Sequence, residues 1–167
     1  MKAGDNKEIE VEITNEEDSI TTDKVTYWVN PHHRDKRPDK SQWTIIPDEE
    51  LKCFTSSWQS RWYKRSVIDG EVMASHLDES FGLYLIDNVP HTLGIRKRKA
   101  IQEGKDKAEL LIARFIPDEA HKKWHGYPAD GELNDQDIPS DFYLKEWKKS
   151  NYFKPAQISK IKRGRSL

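Results

Sequence analysis

Leu110-Leu111-Ile112-Ala113-Arg114-Phe115-Ile116 carries apolar side chains at both odd and even positions, with one charge. Successive strand residues face opposite ways, so such a run has two apolar faces and predicts a central strand. The segments around it supply neighbours. Upstream, Leu93 to Ala100 pairs with Ala108 to Ile116 as a predicted hairpin. Further upstream, Val72 to Leu77 and Phe81 to Ile86 read as another hairpin, turning at Asp78-Glu79-Ser80. Lys24 to Asn30 alternates, with Val25, Tyr27 and Val29 on one face and Thr26 and Trp28 on the other. Pro31 ends it, and residues 31–42 form a polar, Pro-punctuated loop. A short strand is expected over Trp43 to Ile46.

One longer helix is written between these strands. Pro47 suits a first helical turn, and Asp48 and Glu49 complement its dipole. Leu51, Phe54, Trp58 and Trp62 follow at spacings of a helical stripe. The same start recurs as Ile116-Pro117-Asp118-Glu119, and more weakly as Ile138-Pro139-Ser140-Asp141. It predicts helices over 117–125, 139–151 and 155–163, the second carrying Tyr143, Leu144 and Trp147 on its apolar face. Trp124-His125-Gly126-Tyr127-Pro128 then reads as a helix C-terminus, and 126–138 as an acidic loop. The three Ile-Pro starts have no common spacing and make no repeat. Strands, a helix, more antiparallel strands and then short C-terminal helices indicate an α+β fold: a mainly antiparallel sheet packed by one longer helix.

Charge divides the chain. Residues 1–23 hold eight acids against two lysines, whereas residues 142–167 hold eight bases against one glutamate. The first segment has few large apolar groups and reads as a flexible acidic tail, with Ile9-Glu10-Val11-Glu12-Ile13 as a candidate edge strand; residues 24–167 read as one domain. Charged residues make up 34% of the chain, yet six Trp, six Tyr and five Phe supply enough apolar area for a core. No apolar run reaches the roughly 18 residues of a membrane span. Met1 to Thr14 lacks the apolar centre of a secretory signal, and Cys53 stands alone, so a reduced cytoplasmic setting is the expectation.

Catalytic motifs are missing from the sequence. There is no Gly-x-Ser-x-Gly elbow and no Gly-rich phosphate loop, and nothing beside Cys53 would lower its thiol pKa. Two constellations remain. Arg96, Lys97, Arg98 and Lys99 fall on the predicted basic hairpin, with Lys105 and Lys107 on its return arm. Lys160, Lys162, Arg163 and Arg165 form a second basic cluster, and Trp124 and Tyr127 add aromatic surface. These features suit phosphate or partner contact; the plainer alternative is a solvated edge protected by lysines. His121 and His125, four apart on the predicted helix, together with Asp130 would suit a metal-dependent hydrolase or nuclease. His32, His33 and Asp135 are further ligand options. A toxin, antitoxin or inhibitor also fits the size and charge.

The reading adopted is a non-enzymatic accessory or binding module of a larger complex, with a protein partner, nucleic acid as a second class of partner, no cofactor and no membrane. The surface separates the partners. A positive groove lined by rings favours nucleic acid, and an apolar patch favours protein.

Overall fold

The computed structural model describes residues 7–14, 22–65, 77–118 and 123–167. Among them, seven strands join in one sheet. They are β1 (Lys7–Thr14), β2 (Thr22–Val29), β4 (Tyr63–Arg65), β5 (Leu77–Ile86), β6 (Val89–His91), β9 (Ile112–Pro117) and β10 (Lys123–Pro128). The order is β1-β2-β10-β9-β5-β4, with β6 turned back on β5. Pairing is antiparallel except between β2 and β10, which run parallel through Lys123 opposite Thr26 and Trp124 opposite Tyr27. A second sheet joins β3 (Gln42–Trp43), β7 (Gly94–Ile95) and β8 (Glu109–Leu110). The expected α+β class, with its mainly antiparallel sheet, holds.

β9 is the central strand that its two apolar faces predict. Ala113 and Phe115 enter a core with Val25, Tyr27, Val29, Cys53, Phe54, Trp58 and Trp124. Ile112, on the opposite face, enters another core with Phe81, Leu83, Tyr143, Leu144, Trp147 and Phe153. Helix α1 (Pro47–Gln59) covers the first face, presenting Glu50, Cys53, Phe54, Ser57 and Trp58 inward. Its backbone comes so close to β5 that a Cβ on Gly82 would lie 2.9 Å from the Cys53 carbonyl oxygen. Helices α3 (Asp141–Lys149) and α4 (Pro155–Lys162) cover the second face. Trp62, expected on the α1 stripe, lies past the helix end and packs edge-to-face on Trp147 at 5.8 Å in that second core.

Glu50, next to the acids of the first turn and not singled out in the sequence, is fully buried. Tyr27 donates to its Oε2 at 2.5 Å, and Arg34 donates to its Oε1 through Nη2 at 2.6 Å. Burial pushes its carboxyl up, and the Arg34 charge opposes that rise. The pair ties strand β2, helix α1 and the loop after β2 to one point.

Several local expectations are corrected. No helix covers 117–125 where these residues are described: β9 runs through Pro117, and 123–125 lie in β10. Residues 123–128 alternate half-buried and buried, a period of two. The Ile-Pro pair therefore starts a helix at 46–47 and ends a strand at 116–117. Gly126 is a mid-strand residue opposite Phe115, not a helix cap, and Trp124 is fully buried. Residues 126–128 accordingly leave the expected acidic loop. Asp78-Glu79-Ser80 is no turn, because β5 passes straight through it; the partner arm expected over 72–76 lies outside the described residues. The real hairpin turns at Asp87-Asn88, both at positive φ (52° and 61°), a type I′ turn joining β5 to β6. β7 does pair with β8, but over two residues only. Arg98–Gln102 then form helix α2 instead of the hairpin arm.

Candidate functional site

The small sheet has one covered face and one open face. Trp43, Gly94 and Leu110 lie in one cross-strand row and turn inward; Gln42, Ile95 and Glu109 lie in the next row and turn outward. Ile95 is 43% exposed there. Above this open face lies a groove of about 710 Å³, floored by Ile95, Ile101, Ala108 and the edge of Trp43. Its walls are the loop after β2, through Arg34, Lys36 and Arg37, and the segment 96–107, through Arg98 and Lys107.

The charges on the wall are not equivalent. Arg34 is committed to Glu50, and Arg37 is held by Asp35 at 2.8 Å. Lys36, Arg98 and Lys107 are exposed and pair with no acid among the described residues, while Glu109 is the acid on the same rim. Lys36 keeps a left-handed backbone (φ 61°), and its N–H donates to the Gln42 side chain at 2.9 Å.

The predicted basic constellation is thus split. Arg98 and Lys107 meet at the groove. Arg96 is 2% exposed and carries a charge network: Nε and Nη2 donate to Asp130 at 2.7 and 3.0 Å, Nη2 also to Glu132 at 2.7 Å, and Nη1 to the Asp106 carbonyl at 2.9 Å. Those carboxylates raise its pKa. Lys97 turns to a neighbouring pocket. Lys99 is exposed on α2, and Lys105 lies 3.9 Å from Glu132. Lys160, Lys162, Arg163 and Arg165 are exposed on and after α4 and line no wall of the groove; Lys162 pairs with Asp141 at 3.1 Å. Trp124 lies in the core, and Tyr127 is half-buried beside the neighbouring pocket. Sequence reading missed Arg34, Lys36 and Arg37, although the cationic string His33-Arg34-Asp35-Lys36-Arg37 was visible.

The neighbouring pocket, of about 480 Å³, opens on the other side of the same loop and of Arg96. Because β2 and β10 are parallel, both leave the sheet at one edge, and the loops that follow them meet there. His32 and His33 come from the first, and Asp130, Asn134 and Asp137 from the second. Beneath it runs a polar relay. Tyr143 donates to Glu79 at 3.1 Å, and Arg114 donates to Glu79 at 3.5 Å and to the Tyr127 hydroxyl at 3.0 Å. Tyr127 in turn donates to Asp137 at 2.6 Å. Burial and the Asp137 charge hold the Tyr127 phenol well above its usual range.

Of the metal reading's residues, His125 stands on strand β10, and its ring meets Trp28 edge-to-face at 5.7 Å. Asp130 belongs to Arg96, and His121 lies outside the described residues. Among the described residues, no three His, Cys, Asp or Glu side chains are grouped to hold a metal ion. The Cys53 thiol is buried and pushed up to about 12, which keeps it protonated near neutral pH. Comparison with known protein families, curated proteins and solved structures finds no match to this chain.

Proposed function

We propose that the chain is a non-enzymatic binding module that takes an acidic, apolar segment of a partner protein in the groove over the small sheet. The observation that carries this reading is the set of Lys36, Arg98 and Lys107, unmatched by acids among the described residues, around an aliphatic floor. Magnitudes divide the labour. Exposed ion pairs contribute about 0–1 kcal/mol each, so the rim steers and selects an acidic segment. Burying a Leu- or Ile-sized side chain contributes about 1.5–3 kcal/mol, so Ile95 and Ile101 supply the hold. The floor also favours peptide over nucleic acid. Bases bind by stacking on open rings, and the one ring at this floor, Trp43, is 7% exposed.

An unbiased peptide array probed with the wild type, with Arg98→Glu/Lys107→Glu and with Ile95→Asp tests this. The expected hits carry acids flanking an apolar side chain, weaken at least about tenfold in the charge-reversed protein and vanish with Ile95→Asp. No hits, or hits indifferent to both variants, refute the reading. Preferential binding of single-stranded oligonucleotides with the same dependence would give the groove to nucleic acid instead.

A further inference from the structure

The groove floor and the tip of the β5–β6 hairpin share one chemistry. Six large apolar side chains are exposed among the described residues. Two of them, Ile86 at 43% and Val89 at 54%, are cross-strand partners at the hairpin tip, and a third, Ile95, is the floor of the groove. Apolar side chains gathered on a surface and ringed by polar groups mark places where another molecule sits.

The tip also carries the charge opposite to that of the groove wall. Between Arg65 and Arg96 the sequence holds no Lys or Arg. Asp87 stands exposed at the turn, between the two apolar side chains, and pairs with no cation among the described residues. The other acids of the hairpin, Asp78 and Glu79, lie at the opposite end of β5, where Glu79 is held by Tyr143 and Arg114. The groove presents Lys36, Arg98 and Lys107 against Glu109. Ile86-Asp87-Asn88-Val89 is thus an acid flanked by aliphatic side chains, offered to cations around an aliphatic floor. The type I′ turn, with φ of 52° and 61° at Asp87 and Asn88, holds this tip in shape, and a preformed segment loses little freedom on docking.

No residue of the tip lines the groove of its own molecule. Strand β6 holds the tip against β5, and β7 holds Ile95 in the small sheet, so the tip reaches a groove only on another molecule. A two-fold axis lets each copy give one tip and receive one, which closes the pair and stops further growth. From the exposed Ile86 and Val89, the anionic turn and the cationic wall around Ile95, we propose that two copies of this chain form a reciprocal dimer, each docking its hairpin tip in the other's groove. The dimer rests on the groove being a protein-binding site and gives that site a second copy as its partner. The contact is small, so the pair forms at high concentration and separates on dilution.

Sedimentation velocity of the full chain, from about 10 µM to about 1 mM, reads the association. The wild type should pass from monomer to dimer within that range. Ile86→Ser/Val89→Ser and Arg98→Glu/Lys107→Glu alter exposed side chains only, and circular dichroism checks that both fold. Each should stay monomeric throughout. Asp87→Asn, which keeps a residue tolerant of positive φ, should weaken the dimer several-fold. Mixing reads the reciprocity, because the Ile86→Ser/Val89→Ser chain keeps its groove and the Arg98→Glu/Lys107→Glu chain keeps its tip. With the first chain ¹⁵N-labelled and the second not, amide shifts should appear at Ile95 and its neighbours, although neither chain shifts when concentrated alone. A wild type that is monomeric at the top of the range overturns the dimer; if the same protein still takes acidic peptides in its groove on the array, the binding-module reading stands. A dimer that survives either double variant overturns the docking of tip in groove, as does a mixture without shifts at Ile95. Assemblies larger than two overturn the reciprocal closure.

Discussion

Replacing Arg96 with methionine separates a structural cation from the binding cations beside it. Arg96 is 2% exposed and Asp130 7% exposed, so their pair is screened little by solvent. Methionine fills much of the space but leaves the Asp130 carboxylate buried without its countercharge, and the Asp106 carbonyl loses its donor. Removing one member of a buried pair costs about 3–5 kcal/mol. Set against a typical total of about 5–15 kcal/mol, that is a large share of the stability of a domain this size. Glu132 adds little to the loss, because its side chain is 32% exposed and can rehydrate. Urea unfolding followed by tryptophan fluorescence reads the effect, with five of the indoles fully or nearly buried in the two cores. Arg96→Met/Asp130→Asn should recover about 2 kcal/mol of the single variant's loss, since the orphaned charge is then gone. Arg98→Ala, two positions away and exposed, should stay within about 0.5 kcal/mol of the wild type. An Arg96→Met protein within about 1 kcal/mol of the wild type, or a double variant no better than the single, would refute the argument.

Gly126→Ala should destabilise by about 1–3 kcal/mol, because its Cβ would lie 2.2 Å from Cδ1 of Phe115; Phe115→Leu in the same chain should return part of the loss on thermal unfolding. His33, lowered mainly by burial from 6.5 to about 4, binds its proton more weakly folded than unfolded. Its contribution is therefore complete above pH 6.5 and is lost as pH falls through 4, a change of roughly 3 kcal/mol. His33→Gln should flatten that part of the stability profile, and an NMR titration of His33 with a midpoint near 6.5 would contradict the assignment.

The central strand was legible because residues 110–116 offer apolar groups to both sides and only a twice-covered strand can use them. Helix α1 was legible for the complementary reason, its stripe having one side. Pro117 and the run 123–128 were not, since Ile-Pro-Asp-Glu is compatible with a helix start until the pairing of Trp124 with Pro117 is known. The type I′ turn at Asp87-Asn88 carried a local signal, which was outweighed by a false turn at 78–80. The site was half visible. Cations at 96–99 and 107 stood out, but whether each is exposed depends on acids far along the chain. Asp130, 34 positions away, buries Arg96, while Arg98 has no such counterpart among the described residues. His33 was visible only as a spare metal ligand, because its contacts with the Ser41 carbonyl and the Tyr127 ring exist only in the folded chain.

Strand β1 closes one margin of the large sheet, and its sequence explains why the sheet stops there. A border strand leaves a row of main-chain donors and acceptors that would template a neighbour. Glu8 and Glu10 are exposed along that border, and Glu8 is held by Lys123 from two strands inward. Any second copy laid alongside would bring its own glutamates against these. The anionic composition of this segment thus discourages stacking of one molecule on another, a safeguard against fibre growth written into the first strand of the chain.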